Sequence, residues 1–228
     1  MTKDIEHVFF DLDHTLWDFD KNSKLTFEKI FDIHKLNVHT HRFLEVYEPI
    51  NFEYWKLYRE EKVTKSELRY GRLKKAFDAI NFFISDTTIN DLSEDYITYL
   101  TTFNNVFDGT HEILNYLKKD YQLHIITNGF EEAQEKKLEA SNLKSYFNTM
   151  TNSEMVGVKK PNPRIFNFAL NIANARPENS IMIGDSLEAD VQGALNVGMS
   201  AVYFDYKDKD HKQPYHRITK LSEIKDIL

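Results

Sequence analysis

The sequence contains no cysteine. That removes disulfides, Cys-ligated zinc and thiolate chemistry, including phosphate transfer through a cysteine nucleophile. Basic residues are also in deficit, 29 against 36 acidic ones, for a formal net charge of -7. Nucleic-acid backbones are held by clustered Lys and Arg, so a nucleic-acid polymer is not an expected partner. An acidic protein that handles phosphate concentrates positive charge locally, usually with a metal. No apolar run approaches the roughly 18 residues of a membrane span. The opening Met1-Thr2-Lys3-Asp4-Ile5-Glu6 has neither the basic nor the apolar region of a signal peptide, so the expected location is cytoplasmic, without a membrane partner. No G-x-x-x-x-G-K-[ST] motif is present, which disfavours a P-loop kinase.

Glycine is scarce and unevenly placed. Of seven glycines only Gly71 precedes position 108, while Gly109, Gly129, Gly157, Gly184, Gly193 and Gly198 punctuate the remainder. Residues 18–103 therefore read as a helical block, with four amphipathic stripes. The first is Phe27, Ile30, Phe31 and His34; the second is Phe43, Tyr47, Ile50, Tyr54 and Tyr58, where Pro49 predicts a kink or a break. The third opens on Thr64-Lys65-Ser66-Glu67, a capping box, and continues through Leu73, Ala76, Phe77 and Ile80. The fourth runs through Leu92, Tyr96, Leu100 and Phe103. His39 and His41 fall between helices with no metal-ligand spacing and read as a solvated loop.

After Asp108-Gly109 helix and strand alternate. Helices are predicted around Ile113 to Leu117 and over Ala133–Ala140, Ile165–Ala173, Val191–Val197 and Leu221–Leu228. Strands are predicted over Leu123–Ile126, Phe147–Thr151, Ser180–Ile183 and Ala201–Phe204. The fold class is α/β, a Rossmann-like doubly wound parallel sheet with an inserted α-helical bundle. At 228 residues and 41% hydrophobic the chain suffices for a core of residues 1–17 and 104–228 plus an insert of 18–103.

The stretch His7-Val8-Phe9-Phe10-Asp11-Leu12-Asp13-His14-Thr15-Leu16 is a near-continuous apolar run ending in acid, the pattern of a strand buried on both faces. Asp11 then lies at its carboxyl end, where open α/β sheets bind ligands. Asp11 and Asp13 point the same way if strand-like geometry continues past the end. An isolated D-x-D is as readily an acidic loop. Two other strands, however, also end in polar residues: Thr127-Asn128, and Asp185 with Asp190 five residues on. The loop Gly157-Val158-Lys159-Lys160-Pro161 adds a cation. In a parallel sheet these ends share one edge, so carboxylates, a hydroxyl, an amide and a lysine converge on one crevice. Trp17, Phe19 and Phe130 flank these motifs and are candidates for substrate contact. His14 beside Asp13 is expected to face away.

DLDHT at Asp11–Thr15, ITN at Ile126–Asn128, KP at Lys160-Pro161 and GDSLEAD at Gly184–Asp190 resemble the four motifs of the haloacid dehalogenase (HAD) superfamily. The helical block resembles a subfamily I cap. DLDHTLWDF, the stretch around Thr64–Arg72, ITNGF and SEMVGVKKPNPRIF are similar to the YjjG-like 5'-nucleotidases. The resemblance implies Asp11 as a nucleophile that becomes an aspartyl phosphate and Asp13 as the acid and base of proton transfer. It implies Mg2+ held by Asp11, Asp185 and the Asp13 carbonyl, and phosphate oxygens held by Thr127, the Asn128 N–H and Lys160. Asp190 would orient the metal shell or Lys160. The implied partner is a small phosphomonoester, a pyrimidine nucleoside monophosphate first, with phosphoglycolate or a sugar phosphate as alternatives, and the protein a monomer or homodimer. Rivals are a hexose phosphomutase, which needs an acid/base in the cap, and a phosphate-binding regulatory module without turnover. A dehalogenase is disfavoured, because displacing halide leaves no oxygen for Asp13 to protonate.

Overall fold

A computed structural model of the chain describes residues 5–209 and 215–228. The chain divides into two compact units, Met1–Phe19 with Asn104–Leu228, and Asp20–Phe103. It opens with β1 (His7–Phe10), continues through α1 (Phe19–Ile33), α2 (Thr40–Arg59), α3 (Lys65–Ala79) and α4 (Asp86–Leu100), and then returns to the first unit.

The four helices follow their stripes. Phe27 is wholly buried, and its ring lies 4.9 Å from Phe43, 4.7 Å from Tyr47 and 4.8 Å from Tyr96. Burying a phenylalanine of this kind contributes about 1.5–3 kcal/mol. The capping box forms: Thr64 Oγ1 accepts the Glu67 N–H at 3.2 Å, and the Glu67 carboxylate accepts the Thr64 N–H at 2.8 Å. Ser85 caps α4 by accepting the Thr88 N–H. Of the kink or break expected at Pro49 the break does not occur, since α2 runs unbroken from Thr40 to Arg59. Pro49 sits on the exposed side of the helix. The carbonyl that loses its donor there can turn to water while Phe43, Tyr47, Asn51 and Tyr58 keep the buried face continuous. His39 precedes α2 and His41 lies exposed in its first turn.

The first unit continues with α5 (Thr110–Leu117), β2 (Gln122–Thr127), α6 (Glu131–Ala140), β3 (Thr149–Asn152), α7 (Ser153–Val156), α8 (Pro163–Ile172) and β4 (Ser180–Gly184). A π-helical turn over Leu187–Gln192 precedes α9 (Gly193–Leu195), β5 (Ser200–Phe204), β6 (His216–Ile218) and a closing 3-10 stretch, Leu221–Asp226. The helix predicted over Val191–Val197 thus starts earlier, under a Ser186 side chain that accepts the Ala189 N–H. β6, only three residues long, has no counterpart in the sequence reading. The predicted strand at Phe147 begins two residues later, because Lys144–Tyr146 forms a 3-10 turn ahead of it.

All strands pair in parallel in the order β3-β2-β1-β4-β5-β6. β1 is central and buried along its whole length, as its unbroken apolar run requires. Phe9 packs with Ile126, Met182 and, from α8, Ile165 and Phe166. Phe10 is in register with Ile125 of β2 and Ile183 of β4. Chain order reverses between β1 and β4, and a reversal of this kind opens a crevice at the carboxyl edge. Among the described residues no helix is long and apolar enough to cross a membrane.

Candidate active site

Asp11 extends the β1 ladder by one residue, its N–H donating to the Ile183 carbonyl at 2.9 Å. The chain then turns: the Leu12 carbonyl accepts N–H bonds from Leu16 and Trp17, and His14 takes a left-handed φ of 62°. His14 Nδ1 lies 2.8 Å from the Tyr206 hydroxyl.

Lys160 is 2% exposed. Its Nζ donates to Asp11 Oδ1 at 2.7 Å and to the Ile126 carbonyl at 2.7 Å, and it lies 2.6 Å from Asp190 Oδ1. Burial alone would lower its pKa, but the Asp11 and Asp190 charges outweigh that and raise it. Asp190 is itself fixed, its Oδ2 accepting the Ser186 N–H at 3.0 Å. A Cβ at Gly184 would meet that carboxylate at 2.3 Å, so Asp190 can occupy this place only because residue 184 has no side chain. Asp190, expected to orient the metal shell or Lys160, is thus in contact with Lys160.

Asp185 stands at the rim, half-buried. Asp11, Asp185 and Asp190 each offer a carboxylate oxygen, all within 4.8 Å of one another. Burial, then the neighbouring Asp11 and Asp190 charges, hold the Asp185 carboxyl well above the ordinary range. Asp11 is raised too, by burial first, against the lowering effect of Lys160. Hard oxygen donors crowded at this cost suit a divalent cation. Asp11, Asp185 and Asp190 are the side chains whose oxygens could meet at such an ion, and of them Asp11 and Asp190 are already engaged by Lys160.

Thr127 ends β2. Its hydroxyl accepts the Gly129 N–H at 3.1 Å and Gln134 Nε2 at 2.6 Å. Both contacts use the oxygen as acceptor, so the hydroxyl proton remains to donate. Asn128 ties the second motif to the third: its Nδ2 donates to the Lys160 carbonyl at 3.0 Å and its Oδ1 accepts the Lys160 N–H at 2.7 Å.

Asp13 goes elsewhere. Lys137 Nζ, on α6, donates to its two oxygens at 2.6 and 2.9 Å, and Gln134 Nε2 donates to Oδ2 at 3.0 Å. Lys137 and Gln134, which meet Asp13 here, are not singled out in the sequence, where Ala133–Ala140 reads only as a helix. Their i, i+3 spacing on the helix that follows Thr127 was the available signal. Trp17 has no exposed surface and lies beneath Lys137, whose Nζ is 4.6 Å from its ring centroid, while Phe19 and Phe130 are also buried.

The family model for haloacid dehalogenase-like hydrolases matches residues 8–204, and the chain belongs to that family. It is 29% identical over 226 residues to the pyrimidine 5'-nucleotidase YjjG of Escherichia coli strain K12, covering 97% of this chain and 96% of that one. Identity to the pyrimidine 5'-nucleotidase PynA of Streptococcus pneumoniae is also 29% over 226 residues, covering 97% and 94%. The crystal structure of YfnB from Bacillus subtilis bound to magnesium superimposes with a TM-score of 0.89 at 27% identity, covering 99% of each chain.

Proposed function

We propose that the protein is a Mg2+-dependent phosphomonoester hydrolase acting through an aspartyl phosphate, with pyrimidine nucleoside 5'-monophosphates as its substrates. The observation that carries this reading is Asp11 at the end of the central strand, held against buried Lys160, with a second acid two residues on that makes separate contacts. Asp11 would attack phosphorus while the bond to the leaving oxygen breaks and that oxygen takes a proton from Asp13. Water then attacks the phosphorus, Asp13 receives its proton, and the bond to Asp11 breaks. The Thr127 hydroxyl and the Asn128 N–H would hold the phosphoryl oxygens. Lys160, with its hydrogen bonds already placed, serves as a fixed cation beside the nucleophile. A Mg2+ ion held by Asp11, Asp185 and the Asp13 carbonyl would offset the charge of carboxylates and phosphate together.

Substrate class rests on the likeness to the two pyrimidine nucleotidases. Release of inorganic phosphate from a panel of nucleoside monophosphates and sugar phosphates tests it. Pyrimidine nucleotides should give the highest kcat/KM, chelation should remove activity and added Mg2+ should restore it. A sugar phosphate turned over far better than any nucleotide would move the substrate assignment, and full activity in excess chelator would sink the metal requirement.

A further inference from the structure

Four acids approach one strand edge, yet the carboxylates that gather within 4.8 Å are those of Asp11, Asp185 and Asp190. Asp13, only two positions from Asp11, points its carboxylate to Lys137 and Gln134. We propose that Lys137 and Gln134 are positioning residues that divide the acids of the crevice, keeping the Asp13 side chain off the cation site and reserving it for proton transfer. The proposal rests on the phosphatase reading above.

The bracket is built from buried parts. Lys137 is 3% exposed and Gln134 is wholly buried, while the Asp13 side chain keeps 20% of its surface open. The Lys137 ammonium is confined between the carboxylate and the faces of Trp17 and Phe19, at 4.6 and 5.6 Å from the ring centroids. Gln134 Nε2 donates to both Asp13 and the Thr127 hydroxyl, so one amide links the acid to the second motif. That amide lies against Gly129, where a Cβ would come within 2.0 Å of it. Its Oε1 is buried with no hydrogen-bond partner among the described residues. The amide is thus oriented by its two acceptors and tolerates an unsatisfied oxygen to stay there.

A structural role alone accounts for this poorly. Buried ion pairs add little net stability over apolar replacements of the same volume, because desolvation offsets the attraction. A lysine inserted only to fasten α6 would also serve on any acid, whereas this one takes the acid whose release would crowd the cation site further. Gln134 on the same helix face meets that same carboxylate, which fixes the direction of Asp13 as well as its partner.

The test compares wild type with Lys137→Met, Lys137→Arg, Asp13→Asn and the Asp13→Asn/Lys137→Met double variant, each checked for folding by its melting temperature. Mn2+ binding, read from the EPR signal of free Mn2+, requires no turnover. Lys137→Met should tighten Mn2+ roughly tenfold, the scale of one unit charge nearby, and the gain should be clearly smaller in the Asp13→Asn background. In turnover, Lys137→Met should lower kcat about 10- to 100-fold with KM little changed. Lys137→Arg should recover part of that loss, and the double variant should be no slower than Asp13→Asn alone. An equal Mn2+ gain in both backgrounds would make Lys137 a remote charge and overturn the proposal. So would additive losses of kcat, and should Lys137→Met not fold, Lys137→Gln takes its place in the same two comparisons, where an equal Mn2+ gain in both backgrounds or additive losses of kcat overturn the bracket. A wild type that releases phosphate from no phosphomonoester would sink the phosphatase reading, and the Mn2+ comparison would still judge the bracket.

Discussion

Lys160 directs its Nζ to Asp11, Asp190 and the Ile126 carbonyl from a position with almost no exposed surface. Replacing it by Met would leave two buried carboxylates without their cation, and breaking a buried pair from one side costs about 3–5 kcal/mol. Lys160→Met should therefore lose both turnover and that much stability in urea unfolding above neutral pH; an unchanged unfolding midpoint would show that the carboxylates do not depend on it. At this scale the sequence was informative wherever a polar residue ends a strand. Asp11, Thr127 and Asp185 were legible because an apolar run stops at each of them. Lys160 was singled out from Lys159 by the KP motif of the family resemblance and not by local pattern, since burial against Asp11 is a property of the loop's path. Lys137 offered only its i, i+3 spacing from Gln134, a weak signal, because a charged residue on an amphipathic helix has the same pattern whether it faces water or a buried acid.

Among the elements, β1 and β2 carry a titratable pair that plays no part in the crevice. His7 Nδ1 and His124 Nε2 are 3.1 Å apart, His124 Nδ1 meets Thr149 Oγ1 at 2.9 Å, and the His124 ring stacks on Phe9 at 4.6 Å. Burial, with His7 adding to it, pulls the His124 pKa down to about 4. A histidine depressed in the folded state contributes stability in full above its unfolded pKa near 6.5, and that contribution is lost as pH falls toward 4. A depression of this size corresponds to about 3 kcal/mol. Asp11 and Asp185, raised on folding, act in the opposite direction as pH falls. The histidine term is therefore isolated by comparison with His124→Gln: wild type should lose stability relative to the variant between about pH 6.5 and about pH 4, and parallel curves would refute the assignment. Element type was legible where periodicity ran long, as in all four helices of the second unit. It was not legible at Leu187–Gln192, where Asp190 and Val191 both donate N–H bonds to the Ser186 carbonyl and widen the turn. Nor was it at β6, whose Arg217 pairs with Asp205 and Asp208 across a distance that no local pattern encodes.

For the whole molecule, alternating strand and helix after Gly109 signalled a parallel sheet, and scarce glycine before it signalled a helical insert. Strand order was not readable, because it depends on which crossover goes to which side of β1, yet order is what brings Thr127 and Asp185 to either side of Asp11. The likeness to the magnesium-bound structure of YfnB spans the chain, whereas the proposed chemistry lies in a few side chains of the first unit. The central claim is that a phosphoryl group passes through Asp11. It is tested most directly by acid-quenching the protein during turnover of a pyrimidine nucleoside monophosphate and weighing the peptide that contains residues 7–16. The account predicts a mass increment of one phosphoryl group on Asp11 in wild type, and in Asp11→Asn neither the increment nor turnover. Steady release of phosphate with no label on Asp11, or with full activity retained in Asp11→Asn, would contradict it.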